Sequence, residues 1–236
     1  MLQDYKINDI LFLDIETVPA FESYDLQGER LQKLWDKKAD RIKTAEDESP
    51  QDLYPRAGIY AEFGKIVCIS VAFFHQEQLR VKSFYGDDEK QLLIEFKDLL
   101  DKYFNKSHHL LCGHNAKEFD FPYIARRMLI HRILIPKILD LSGKKPWEVN
   151  HLDTMQLWKF GDYKNYTSLD LLTTLFDIPT PKDDIDGSDV WRVYWQDKDL
   201  ERIKTYCEKD TITVVRLFQA FRGEDSIGNE DVFYSK

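Results

Sequence analysis

The chain has 236 residues, of which 43% are hydrophobic and 14% aromatic. This composition supports a substantial core and excludes wholesale disorder. Lysine and arginine number 33 against 42 aspartates and glutamates, a net charge of −9, which argues against a protein that coats duplex DNA or binds membranes through a polybasic surface. The balance leaves open an enzyme that meets nucleic acid through a local patch and bound cations.

The N-terminal segment lacks the basic start and small-residue cleavage site of a signal peptide. The longest apolar runs are about six residues, far short of a membrane span. The three cysteines are widely spaced, each in an apolar segment: Cys68, Cys112 and Cys207. We therefore expect buried, reduced thiols in a cytoplasmic protein without membrane contact, and neither a disulfide framework nor a zinc ribbon.

The first half of the chain predicts three strands. Residues 10–15 form an apolar run typical of a buried strand, and residues 65–74 and 79–85 predict a second and third strand joined by a hairpin-sized gap. Residues 20–63 break this pattern. We interpret them as a surface insertion that contains an amphipathic helix over 29–44.

The second half alternates between strand and helix patterns. A helix follows Asp87 and Asp88, a short strand covers 109–113, and further helices are predicted over 121–130, 154–160, 169–176 and 200–221. This order predicts an α/β fold with a mixed β-sheet flanked by helices. We expect one domain over residues 1–222 and a polar, frayed C-terminal tail over 223–236.

Two carboxylates end the first predicted strand. Asp14 and Glu16 are two residues apart, so both lie on the face that Ile10 and Phe12 also occupy. Carboxylates on a buried strand are costly unless something cationic meets them. The alternative is a helix cap or a solvated strand end.

A third carboxylate interrupts an apolar helix face. Asp210 falls in phase with Ile203, Cys207 and Val214 on the last predicted helix, and Tyr206 lies one turn before it. Asp210 therefore occupies a position that faces the core. A buried aspartate satisfied by Arg216 or by a backbone group is the alternative explanation.

A fourth carboxylate, Asp120, follows a predicted strand and begins a helix, together with Asn115 and Phe119. An N-cap is the simpler explanation for an aspartate at that point. If the four carboxylates converge, they repel one another strongly unless cations neutralise them.

All-oxygen carboxylate sites suit Mg²⁺ or Mn²⁺ rather than zinc. Two such ions, roughly 3.5–4 Å apart, can activate a water and stabilise a leaving oxyanion on phosphorus. The residues thus predict hydrolysis of phosphodiester bonds.

The order and spacing of these residues resemble those of a known enzyme family. Asp14-x-Glu16, Asn115-x-x-x-Phe119-Asp120 and Tyr206-x-x-x-Asp210 resemble the three motifs of the DEDD 3′–5′ exonucleases. The closest resemblance is to the proofreading exonuclease domain of family B DNA polymerases and to stand-alone predicted exonucleases related to it. It covers nearly the whole chain and implies a ribonuclease H-like fold. The other branch of the family has a histidine five positions before the last aspartate, where this chain has Thr205, so Tyr206 implies the tyrosine branch.

The resemblance also implies residue roles. Asp14, Glu16 and Asp210 would hold the metal that activates water, and Asp14 and Asp120 the metal nearer the leaving 3′ oxygen. Tyr206 would orient the attacking water.

The remaining implied roles concern the substrate. Thr17 and Asn115, with Phe119 beside them, would contact the terminal nucleotide. Asp153 resembles a further acidic position of polymerase-like members, although an N-cap before the helix over 154–160 explains it equally well.

The expected activity is that of a 3′–5′ exonuclease with two Mg²⁺ or Mn²⁺ ions, acting on single-stranded DNA 3′ ends. One alternative is an exonuclease that trims RNA 3′ ends. The other is a non-catalytic nucleic-acid- or protein-binding module on the same fold.

Overall fold

A computed structural model describes residues 2–162, 164–179 and 185–235. Its centre is a six-stranded mixed sheet in the order β5-β4-β1-β2-β3-β6. The strands are β1 (Ile10–Pro19), β2 (Gly64–His75), β3 (Gln78–Tyr85), β4 (Leu110–Gly113), β5 (Leu152–Asp153) and β6 (Val232–Ser235). The three strands predicted in the first half and the short fourth strand are all confirmed.

Strand β1 lies at the middle of the sheet between two neighbours of opposite direction. It pairs antiparallel with β2 and parallel with β4. Both faces of such a strand are covered, which explains its continuous apolar run. Because β4 lies directly beside β1, the segment that follows β4 begins close to the end of β1.

The helices predicted from periodicity are confirmed to within a few residues at their ends. They are α1 (Glu29–Ile42), α2 (Glu89–Tyr103), α3 (Asp120–Ile130), α4 (Thr154–Lys159), α5 (Leu169–Leu175), α6 (Val190–Arg192) and α7 (Leu200–Phe221). The short helix α6, which runs directly into a π-helical turn at Val193–Asp197, is not in the sequence prediction. Side chains of Asp88, Asp153, Ser168 and Asp199 cap the N-termini of α2, α4, α5 and α7.

Helices cover both faces of the sheet. On one face, Leu11 and Leu13 of β1 pack with apolar residues of α2 and α3. On the other face, Ile10 and Phe12 pack with apolar residues of α7. The alternation along β1 therefore directs every second side chain toward α7.

The segment over 20–63 has a small apolar cluster of its own around Trp35 and Tyr54. Its last turn lies against the end of β1, since a Cβ at Gly58 would come within 2.9 Å of the Val18 carbonyl carbon. Only glycine allows this approach. The predicted helix of the segment is confirmed as α1.

The C-terminal tail corrects one expectation. Residues Val232–Ser235 form β6, which pairs parallel with β3 at the edge of the sheet. Because the exposed edge of β3 offers unpaired backbone groups, a short segment can add to it without a strong side-chain pattern. The prediction of a frayed tail is wrong for these residues, whereas the domain boundary at 222 stays a prediction.

All three cysteines are free and buried, as predicted. Within the described parts of the chain, we find no helix with the length and apolarity needed to cross a membrane. The cytoplasmic location stays a prediction.

Candidate active site

Four carboxylates from three elements meet beside the end of β1. Burial, followed by the charges of Asp120 and Asp210, raises the pKa of Asp14 well above its usual value. Burial also raises the pKa of Glu16, and the charges of Asp14, Asp210 and Asp120 add to the effect. Like charges shift a carboxyl pKa strongly only at short range. The structure therefore brings together the four carboxylates that the sequence singled out.

The backbone of β1 explains the positions of Asp14 and Glu16. Both alternate with Leu13 and Ile15, which face α2 and α3, so the two carboxylates point toward α7. The pairing with β2 shifts register between Glu16 and Thr17. Such a bulge bends a strand and changes the direction of the side chains beside it, and bulges are frequent next to active sites.

Asp120 is the first residue of α3 and is only 4% exposed. The backbone N–H groups of Asp120 itself and of Ile15 lie near its carboxylate and favour the charged form. Burial is the main reason that its pKa is raised to about 7. The N-cap of α3 is Phe119, which forms no side-chain capping bond, so the simpler explanation of Asp120 as an N-cap is wrong.

Helix α7 supplies Asp210 and Tyr206. The Tyr206 hydroxyl lies near Asp210, and burial together with the charges of Asp210, Glu16 and Asp14 raises its pKa above the usual value. Arg216, the alternative partner for Asp210, instead binds the Ile227 carbonyl and the Asn229 side chain. Tyr206 therefore lies with its hydroxyl at the carboxylate cluster and remains protonated at neutral pH.

Asn115 lies in the turn between β4 and α3. Its backbone has a φ of 61°, in the left-handed region that asparagine tolerates better than most residues. Its carbonyl accepts from the N–H groups of Glu118 and Phe119, and this closes the turn ahead of Asp120. The half-buried Phe119 ring packs 5.4 Å from that of Tyr123.

Thr17 faces α3 rather than α7. Its hydroxyl lies near the Tyr123 hydroxyl, which donates at 2.7 Å to the Gly58 carbonyl. Thr17 thus lies where the end of β1, α3 and the 20–63 segment meet, next to the carboxylate cluster but on the other side of the strand. Contacts of Thr17, Asn115 and Phe119 with a nucleotide stay predictions.

Asp153 holds two segments together. Its buried carboxylate accepts from the N–H groups of Asn115 and Lys117 at 3.0 Å each, and from those of Met155 and Gln156 at 3.0 and 3.2 Å. It is therefore the N-cap of α4, the alternative left open by the sequence, and also the anchor of the turn that carries Asn115.

Replacing Asp153 by asparagine should destabilise the protein by about 2–3 kcal/mol, since the amide group turns a donor toward backbone donors. The free energy of unfolding by urea measures this loss. Asp98→Asn, at an exposed position of α2, is the matched control and should change it by less than about 0.5 kcal/mol. Unchanged stability in Asp153→Asn would show that the four hydrogen bonds are not a stabilising unit.

One contact at the site escaped the sequence prediction. Cys207, expected only as a buried thiol, places its Sγ 3.4 Å from Asp14 Oδ2 and 3.4 Å from the Asp14 carbonyl oxygen. The sequence indicates that Cys207 faces the core beside Tyr206 and Asp210, but it does not indicate which residue of β1 the thiol contacts. Cys68 is paired with Glu16 across β1 and β2, so two thiols border the carboxylates.

The carboxylate cluster should make the metal-free protein lose stability as the pH rises. The pKa of Asp120 is about 7 in the folded protein and about 4 in an unfolded chain. The folded state therefore holds its proton more tightly, and this contribution is present below about pH 4 and lost as the pH rises through about 7. Histidines with lowered pKa values contribute with the opposite sign: His109, His114 and His151.

The contribution of Asp120 is thus the difference between the wild type and Asp120→Asn. Thermal midpoints measured with chelator at about pH 5 and about pH 8 should fall further in the wild type than in the variant. Parallel pH dependences would contradict the raised pKa of Asp120.

Comparisons with known proteins identify the family of the chain. A family model described as a predicted 3′–5′ exonuclease related to the exonuclease domain of PolB matches residues 59–226. DNA polymerase 120R of Invertebrate iridescent virus 3 is 26% identical over 168 residues, which cover 56% of this chain and 14% of the viral protein. The family match includes Asp120, Tyr206 and Asp210 and begins after Asp14 and Glu16.

A solved structure has a similar fold. The family B DNA polymerase from the hyperthermophilic archaeon Pyrobaculum calidifontis is similar with a TM-score of 0.51 and 16% sequence identity, over 87% of this chain and 24% of that chain. At this identity the likeness shows the fold, and the predicted ribonuclease H-like fold is confirmed. The chain spans about a seventh of the length of the viral polymerase and about a quarter of the length of the archaeal polymerase.

Proposed function

Because the chain belongs to the family of predicted 3′–5′ exonucleases related to the exonuclease domain of PolB, we propose that it hydrolyses single-stranded DNA from the 3′ end with two divalent cations. The observation that supports this proposal is the convergence of Asp14, Glu16, Asp120 and Asp210 beside β1. A protein that used this fold only for binding would have no need to place four mutually repelling carboxylates close together.

The carboxylates fit divalent cations by charge and by ligand type. Among the described residues, no lysine or arginine forms an ion pair with Asp14, Glu16 or Asp120. Four carboxylates bring up to four negative charges, which two divalent ions neutralise, and carboxylate oxygens are the ligands that Mg²⁺ and Mn²⁺ prefer. When bound, such ions supply a stronger nucleophile from water and stabilise the oxygen that leaves phosphorus.

Within this proposal, the chain's own residues divide the remaining tasks. The charges of both Asp120 and Asp210 raise the pKa of Asp14, so Asp14 is close to both and would help to hold both cations. The Tyr206 hydroxyl keeps its proton and orients the attacking water through a hydrogen bond. The turn with Asn115 and Phe119, fixed by Asp153, positions the terminal nucleotide, with Thr17 at the far side of β1.

The proposal predicts both the direction of degradation and its product. A 5′-labelled single-stranded DNA should shorten stepwise from its 3′ end with Mg²⁺ or Mn²⁺, release mononucleotides and resist degradation in the presence of chelator. Circular single-stranded DNA should remain intact, because the reaction needs a free 3′ end. Shortening from the 5′ end, cuts in the circle or full activity with chelator would contradict the proposal.

The same assay separates the alternatives. An RNA strand of the same sequence tests whether the sugar is recognised, since only RNA offers the 2′ hydroxyl; faster cleavage of RNA would favour the trimming exonuclease. Binding of either strand without cleavage would favour the non-catalytic module. Asp14→Asn protein purified in the same way controls for a contaminating nuclease.

A further inference from the structure

Cys207 adds a sulfur ligand to an otherwise all-oxygen cluster. One ligand atom each from Asp14, Glu16 and Cys207 can be chosen so that all three lie within 4.8 Å of one another. Within this group, Cys207 Sγ lies 3.4 Å from Asp14 Oδ2. Cys207 itself is fully buried against β1, so its side chain has little freedom to turn away.

We propose that Asp14, Glu16 and Cys207 form a mixed thiolate–carboxylate site for a thiophilic divalent cation of the Zn²⁺ class. Such an ion would occupy the position of a hard cation and inhibit the nuclease. The binding site stands on the geometry alone, whereas the inhibition rests on the proposed function.

The spacing of the ligands fits one tetrahedral ion. Zinc binds thiolate at about 2.3 Å and carboxylate oxygen at about 2.0–2.2 Å, which at the tetrahedral angle separates sulfur from oxygen by about 3.5 Å. Cys207 Sγ and Asp14 Oδ2 already have nearly this separation, at 3.4 Å. A single ion can therefore contact both atoms without movement of β1 or α7.

Glu16 provides a second observation that favours a cation at this point. Its side chain is 8% exposed, and among the described residues its carboxylate has neither a hydrogen-bond donor nor an ion-pair partner. The charged groups around it are carboxylates and a thiol. Without a cation such a carboxyl group avoids its charge by keeping a proton, so an ion that enters the cluster is the partner that the charged form needs.

The sulfur of Cys207 determines which cations bind more tightly at this site. Soft thiolate ligands favour Zn²⁺ and its heavier analogue Cd²⁺, whereas Mg²⁺ prefers oxygen and gains nothing from Cys207. Binding replaces the thiol proton by the metal, and the proton passes to solvent. With Zn²⁺ in place, Asp14 and Glu16 would be engaged by an ion that prefers a tetrahedral arrangement, with the fourth position left to water, rather than the octahedral one that Mg²⁺ demands.

We use Cd²⁺ as the probe of this site. A Cd²⁺–thiolate bond absorbs in the ultraviolet, whereas complexes of Cd²⁺ with carboxylates do not. Titration of the wild type with Cd²⁺ should produce this band with one ion per chain. Cys207→Ser should lose the band and bind Cd²⁺ about tenfold or more weakly by calorimetry. Cys112→Ser, a fully buried cysteine that packs with Ile10 and Phe12, is the matched control and should retain both. A persistent band in Cys207→Ser would overturn the proposal.

A measurement on the unmutated protein covers the case in which Cys207→Ser fails to fold. X-ray absorption at the zinc edge should show one sulfur neighbour at about 2.3 Å, and a shell of oxygen and nitrogen alone would overturn the site. Zn²⁺ should also suppress Mg²⁺-supported hydrolysis by the wild type. If zinc binds sulfur but the protein hydrolyses neither DNA nor RNA, the proposed function is wrong and the metal site stands. If the protein is an active nuclease but zinc has no sulfur neighbour, the metal site is wrong and the proposed function stands.

Discussion

Replacement of Asp14 by asparagine is expected to lower exonuclease activity on the order of a thousandfold or more, a loss of about 4 kcal/mol of transition-state stabilisation. Asparagine keeps the size of the side chain but removes the charge. Asp14 is in charge contact with Asp120 and Asp210, so its loss weakens both proposed cation positions at once. Single-turnover rates at saturating Mg²⁺ measure the change.

The same substitution should make the metal-free protein more stable. Burial and the neighbouring carboxylates raise the pKa of Asp14, which means that its charge is unfavourable in the folded state at neutral pH. Removing the charge should therefore raise the thermal midpoint measured with chelator, while the stabilisation by added Mg²⁺ should become smaller.

The combination of lower activity and higher stability distinguishes a cation ligand from a structural residue. A structural aspartate would lose stability together with activity. Asp98→Asn, at an exposed position of α2, should change neither property. If Asp14→Asn kept more than a tenth of the wild-type rate, Asp14 would not hold both cations.

Local patterns were enough to predict the positions of three carboxylates. Strand alternation places Asp14 and Glu16 on the face of β1 that packs against α7, and helical phase directs Asp210 toward the same face. Each inference depends on neighbours within one element. The position of Asp120 depends on strand order as well, because α3 starts beside β1 only if β4 pairs with β1; the motif resemblance supplied that information.

Features that depend on contacts between distant segments were not predictable. The contact of Cys207 with Asp14 requires the axial position of α7 on the sheet, and no pattern within either segment determines it. The role of Asp153 requires that the turn after β4 and the start of α4 lie side by side. Strand β6 joins the sheet through backbone hydrogen bonds with β3, for which its four residues give little side-chain signal.

The second large effect concerns Asp210. Asp210→Asn removes a proposed cation ligand from α7 and should lower the rate on the order of a thousandfold, as for Asp14. Tyr206→Phe should lower it less, by roughly ten- to a few hundredfold, which corresponds to about 1–3 kcal/mol for one hydrogen bond in a transition state. Tyr103→Phe, an exposed tyrosine of α2, is the control for general effects of losing a hydroxyl.

The difference follows from the state of the Tyr206 hydroxyl. Its pKa is raised by burial and by Asp210, Glu16 and Asp14, so it cannot remove a proton from water at neutral pH and can act only by orientation. The hydroxyl also lies near Asp210, and phenylalanine therefore changes the surroundings of a ligand without removing it. Equal inactivity of Tyr206→Phe and Asp210→Asn, with Mg²⁺ binding retained in the tyrosine variant by calorimetry, would show that Tyr206 does more than orient water. A wild-type rate in Tyr206→Phe would instead exclude it from the mechanism and leave the carboxylates and their cations to position the water alone.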